Sequence, residues 1–115
     1  MNLPNAENAL VEREKIEDYL LNTAHRYGAS KAAFFGAFGF RGADWEVFAQ
    51  ALREQGRTHP VTKVRDTAFG PRYEIDGELI APNGRRPRIR TVWQLDKGER
   101  TPRFITAHPL EANDD

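Results

Sequence analysis

His25 and Lys31 stand six residues apart in the stretch HRYGASKAAFF, residues 25–35. A histidine titrates near neutral pH and can take or give a proton. A lysine ammonium can hold negative charge as it develops on oxygen. Between them Gly28-Ala29-Ser30 reads as a turn, with Ser30 as the N-cap of a following helix. Backbone amides at such a helix start suit an anion. A cation in a first turn opposes the helix dipole, so packing and propensity do not explain Lys31. The competing reading is a polar loop histidine and a solvated lysine.

Two further sets lie toward the C-terminus. In GRRPRIRTVW, residues 84–93, Arg88 and Arg90 alternate with Ile89 and Thr91 and so share one face of a strand. Guanidinium groups on an open sheet face can grip a phosphate bidentately. Against this, Glu74, Asp76 and Glu78 alternate along the preceding strand and are natural partners for those arginines. Arg103, Thr106 and His108 form the last set. Two-residue spacing places Thr106 and His108 on one strand face and Arg103 on the other, and Phe104 and Ile105 compete for the core.

The chemistry open to these residues is acid–base work and the holding of an anion such as a phosphate. The candidate catalytic residues are His25, Lys31, Arg90 and Thr106; Arg88, Arg103 and His108 are candidate anion-binding residues. The chain has no cysteine, which removes disulfides, thiolate nucleophiles and thiolate zinc sites. It carries no Walker loop, dinucleotide glycine fingerprint, HExxH or metal-spaced cluster of His and carboxylates. No metal and no cofactor is expected. No apolar run reaches signal-peptide or membrane-spanning length, so the expectation is a cytoplasmic protein without a membrane partner. Charge is uneven beneath a net of zero: residues 1–56 sum to −2, residues 57–108 to +5 and residues 109–115 to −3. A basic half on a neutral chain fits an anionic ligand, or a solvated sheet face balanced by acidic helices.

Three short helices must position the first set. Ile16, Tyr19 and Leu20 follow i, i+3, i+4 spacing, with Glu12 and Glu14 in the first turn and an end near Asn22. The second helix starts at the Ser30 cap, carries Phe34, Phe35 and Phe38, and stops at Gly39. The third has Asp44 as N-cap, shows Trp45, Phe48, Ala49 and Leu52 on one face, and closes at Gly56. After Gly56 the hydrophobic period falls to two. Strands are predicted over 61–68, after a turn at Phe69-Gly70-Pro71, over 88–95, and over 103–108. Tyr73, Ile75 and Leu79 face inward on the second, and Gly77 marks a bulge or a close approach. A three-residue loop 82–84 pairs Ala81 with Arg85, sets Glu78 against Arg88 and Asp76 against Arg90, and needs Gly84 left-handed. The fold class is α+β: three N-terminal helices packed on one face of a four-stranded antiparallel meander. Residues 1–115 read as one domain with an ordered core from about 10 to 109, and with polar ends 1–8 and 111–115 expected to fray.

The pattern KIEDYLLN…H…G…KAAFF…FGF, followed by YEIDGELIAPNGRRPRIRTVWQLDKG…PRFITAHP, resembles a bacterial family known only as a domain of unknown function. Its members are short stand-alone proteins and C-terminal modules of toxin-like chains. A more remote resemblance is to the RNase toxins grouped with barnase, EndoU and RelE, which place helices before a four-stranded antiparallel sheet. That resemblance implies RNA cleavage by a dispersed set of His, Lys, Arg and Ser/Thr. The positions matching here are His25, Lys31, Arg90 and Thr106. Two functional expectations follow. One is a non-catalytic binding module, with a protein partner of antitoxin or immunity type. The other, which the remote resemblance implies, is a metal-independent RNase toxin-like domain whose partner is RNA; there His25 activates a ribose 2′-hydroxyl, and Lys31 and Arg90 stabilise charge at phosphorus.

Overall fold

The computed structural model describes residues 1–22, 24 and 29–110. Helix α1 begins at Arg13–Lys15 and continues as a π-helical turn, Ile16–Leu20. Helices α2 (Ala29–Ala37) and α3 (Trp45–Thr58) follow. Then come β1 (Lys63–Thr67), β2 (Gly70–Glu78), β3 (Arg88–Gln94) and β4 (Arg103–Pro109). They form one antiparallel sheet in the order β1-β2-β3-β4. The α+β class and the meander are those read from the hydrophobic periods.

The expected ends hold at Gly39, which stops α2, and at Asp44, which precedes α3 as its N-cap; the other ends differ. In α1 the last turn is π-helical, and Ile16 and Leu20 are each fully buried in the core. Helix α2 already includes Ala29, so Ser30 sits within its first turn and not at its cap. Its C-terminus is a Schellman motif. The Phe40 amide donates to the Phe35 carbonyl and the Gly39 amide to the Gly36 carbonyl, with Gly39 at φ +99°. Phe40 also packs edge-on against Phe35. Helix α3 runs through Gly56 to Thr58. Gly56 is no stop signal; a Cβ there would stand 3.1 Å from Cζ2 of the fully buried Trp93. Gly77 makes a close approach on the other side of the same helix end, directly under the His59 ring.

Phe48, Ala49 and Leu52 of α3 are buried against Ile75 and Trp93 of the sheet. Burying each large apolar side chain contributes roughly 1.5–3 kcal/mol. Gln55 adds a specific anchor in this layer. Its Nε2 donates to the Ile75 carbonyl at 2.9 Å, its Oε1 accepts from Thr91 Oγ1 at 2.6 Å, and Trp93 Nε1 donates to Thr91 Oγ1 at 2.8 Å. The segment 1–8, expected to fray, is docked. Leu3, Ala6, Ala9 and Val11 are buried in the core, the Val61 amide donates to the Met1 carbonyl, and Leu10 pairs with Arg103. Residues 111–115 lie outside the described residues.

The β2–β3 hairpin has the expected register. Ala81 pairs with Arg85 through a 3.1 Å hydrogen bond, Glu78 faces Arg88, Asp76 faces Arg90, and Gly84 has φ +84°. The first hairpin is tighter than expected: Thr67 already pairs with Gly70, so Ala68 and Phe69 alone form the loop. A register shift opposite Val92/Trp93 leaves Ile105 of β4 without a partner. Phe104 and Ala107 are thereby both directed into the core, where each is fully buried. The same bulge sets Arg103 against Gln94, Thr106 against Val92 and His108 against Arg90. All three therefore lie on the outer sheet face. The expectation that Arg103 and Thr106 take opposite faces fails because the extra residue reverses the alternation.

Candidate functional site

β4 is a sheet edge, so its outer face can be reached from around the side. Helix α2 lies at that edge and α1 lies beside it. Lys31, in the first turn of α2, extends to Thr106. Its Nζ donates to Thr106 Oγ1 at 3.0 Å and to Tyr19 Oη at 2.9 Å. An ammonium has three donors, and two of them are used by Tyr19 and Thr106. Tyr19, Lys31, Ile105, Thr106 and His108 line an open cleft of about 490 Å³, rimmed by Lys15, Glu12 and Glu14. Thr106 and Lys31, 75 residues apart in sequence, are brought into direct contact.

The electrostatics favour proton transfer. Burial pushes the Tyr19 phenol up. The hydrogen bonds with Lys31 and Thr106, with the positive charges of Lys31 and Lys15, outweigh that and hold it below its ordinary value. His108 is shifted down, first because part of its ring is withdrawn from water. The charges of Lys31 and Arg90 add to the shift, and Glu74 opposes it. At neutral pH His108 is therefore an uncharged imidazole, able to accept a proton. The cleft holds a cation, a phenol held below its ordinary value, a hydroxyl and an imidazole within one space.

The other predicted residues divide. His25 lies outside the described residues. Arg90 is on the outer face opposite His108 but is gripped bidentately by Asp76, Nε–Oδ1 2.7 Å and Nη2–Oδ2 3.0 Å, with Glu74 at 3.5 Å. Its charge reaches His108, while its fork is occupied by the acids that the sequence offered as its partners. Arg103 is bound by Asp96 at 2.7 Å and does not line the cleft. Arg88 lies further along β3, in a second groove with Phe34, Phe38, Arg86, Pro87 and Leu110. Among the described residues no three His, Asp or Glu are grouped as metal ligands.

Sequence reasoning missed Tyr19. Its place at i+3 from Ile16 made it a core residue by period, yet a tyrosine at such a position needs a partner for its hydroxyl. That requirement, together with a lysine misplaced in a first turn, was the available signal.

Residues 2–111 match the family described as "Domain of unknown function (DUF6883)", and the chain belongs to that family. A search of the curated proteins finds no match. Among solved structures, this chain is similar to one in a contact-dependent growth inhibition toxin–immunity protein complex from Klebsiella pneumoniae 342. The TM-score is 0.71 and the identity 19%, with 89% of this chain and 100% of that chain covered. At that identity the likeness is one of fold. Among the described residues no helix is long and apolar enough to cross a membrane.

Proposed function

We propose that this chain is a toxin-type domain that cleaves RNA at the Tyr19–Lys31–Thr106–His108 cleft, and that a protein partner of immunity type restrains it. The observation carrying this reading is the Lys31 ammonium held between the Tyr19 and Thr106 hydroxyls beside His108. Neutral His108 takes the proton of a ribose 2′-hydroxyl. The 2′-oxygen attacks phosphorus, and the bond from phosphorus to the 5′-oxygen breaks. Lys31 and Thr106 hold the non-bridging oxygens as their charge grows. Tyr19 gives its proton to the departing 5′-oxygen, and Lys31 stabilises the phenolate that remains. The products are a 2′,3′-cyclic phosphate and a 5′-hydroxyl, and proton return from His108 to Tyr19 resets the site. This scheme moves the base from His25 to His108 and turns Arg90 from a clamp into a source of field. Purified protein incubated with total and transfer RNA in EDTA tests it. Cleavage by the wild type that is lost in Lys31→Met supports the reading; intact RNA counts against it.

A second reading is a non-catalytic member of a toxin–immunity pair. It draws on an apolar patch away from the cleft, where Val47 is 52% exposed and Ile80 62% exposed, with Ala51 between and Glu46 and Glu54 alongside. A chain that leaves RNA intact yet co-purifies one-to-one with a protein partner would favour this reading.

A further inference from the structure

A second groove lies beyond His108 along the same helix and strand. On α2, Lys31, Phe34 and Phe38 follow i, i+3, i+7 spacing and so face the same way. On the sheet, His108 faces Arg90, and two residues on the Leu110 amide donates to the Arg88 carbonyl at 3.0 Å. Helix α2 and the end of β4 therefore line both the cleft and, next along, a second compartment of about 480 Å³. Its floor is Phe34, Phe38, Pro87 and Leu110, and its rim is Arg86 and Arg88. The step from one compartment to the next is two strand residues, about 7 Å, the scale of one nucleotide along an extended chain. The two phenyl rings lie 5.1 Å apart, tilted by 53°, and both are partly exposed. Arg86 is exposed and makes no hydrogen bond or ion pair with another described residue.

We infer that this second compartment is a nucleotide subsite for the residue next to the scissile phosphate, an inference that rests on the cleavage reading above. Phe34 and Phe38 offer the base a stacking surface, which tolerates any sequence because every base has a π-face. Arg86 holds the neighbouring phosphate. Aromatic floor, guanidinium rim and alignment with the ammonium along one face of α2 together select an extended single strand. An acidic peptide would match the rim but gives no reason for the join to Lys31 and His108.

The test uses two substrates and one inert ligand. A dinucleoside monophosphate has only the scissile phosphate, whereas a decanucleotide also brings the neighbouring phosphate to Arg86. Arg86→Glu should raise KM for the decanucleotide at least tenfold and leave cleavage of the dinucleoside monophosphate within twofold of wild type. Phe38→Leu should weaken binding of a fluorescent 2′-O-methyl decanucleotide, which cannot be cleaved, about tenfold or more. Far-UV circular dichroism confirms that both variants are folded. Should the protein cleave nothing yet bind the 2′-O-methyl strand through Arg86 and Phe38, the subsite stands and the cleavage reading falls. Cleavage that neither variant alters, with wild-type binding retained, would overturn the subsite and leave the cleavage reading intact. Failure of the wild type to bind the strand would also overturn it, as would loss only of an acidic protein partner in Arg86→Glu.

Discussion

Replacing Lys31 by methionine removes the ammonium and keeps an unbranched stem of similar bulk. Two hydrogen bonds to hydroxyls are lost, at 2.9 and 3.0 Å, and each is worth about 0.5–1.5 kcal/mol net. The loss is partly offset, because a cation leaves the first turn of α2, where it costs about 0.3–1 kcal/mol. Thr106 and Tyr19 border the open cleft, so water can replace the lost donor. Stability should fall by only about 1 kcal/mol, read as the midpoint shift of a urea melt at unchanged slope. Removing one preorganised electrostatic donor from a reacting phosphate should cost about 100- to 1,000-fold in kcat. The Tyr19 phenol gives an independent readout. With Lys31 gone, burial is no longer outweighed, and the phenol should titrate later than in the wild type when followed by phenolate absorbance. A variant that loses stability and activity in proportion, with Tyr19 titrating as before, would refute the reasoning. Lys31 would then be a structural strut.

His108 predicts the pH dependence. Its folded value lies below the ordinary histidine range, so the stability tied to its neutral form is complete above that range and is lost as pH falls through the lowered value. The acid limb of the cleavage rate should sit on the acid side of an ordinary histidine, and His108→Gln should remove that limb and lower the rate about 100-fold or more. Two glycines make a paired test by thermal melting. Gly36→Ala meets nothing within 4 Å in α2 and should stabilise by about 0.5–1 kcal/mol, whereas Gly56→Ala drives a methyl group at Trp93 and should destabilise by about 1–3 kcal/mol. Thr91→Val leaves Gln55 Oε1 and Trp93 Nε1 buried without their partner and should cost about 2–4 kcal/mol in a urea melt.

The sheet was legible because its alternation is clean. Tyr73, Ile75 and Leu79 against Arg72, Glu74 and Asp76 leave one register, and opposite charges across β2 and β3 select the loop length. The site was legible in part. Lys31 stood out because it opposes the helix dipole, and Thr106 because it lies on the last strand. What joins them was hidden. The Ile105 bulge has no signature in a run as evenly apolar as Phe104-Ile105, yet it decides which face Thr106, Arg103 and His108 share. The docked N-terminus was hidden for a related reason: Leu3 and Ala6 are isolated apolar residues in a polar stretch too short to show a period. Gly56 misled because a glycine late in a helix reads as a stop, and only the position of the Trp93 indole reveals a packing contact.

The central claim is that the Tyr19–Lys31–Thr106–His108 cleft breaks RNA with its own side chains. The most direct measurement is the chemistry of the cut ends. A 5′-labelled RNA decanucleotide is incubated with pure protein in EDTA, and its products are resolved by mass spectrometry. The account predicts fragments ending in 2′,3′-cyclic phosphate and beginning with 5′-hydroxyl, absent with Lys31→Met and His108→Gln. Intact RNA with wild-type protein, or cleavage of equal rate in both variants, would contradict it.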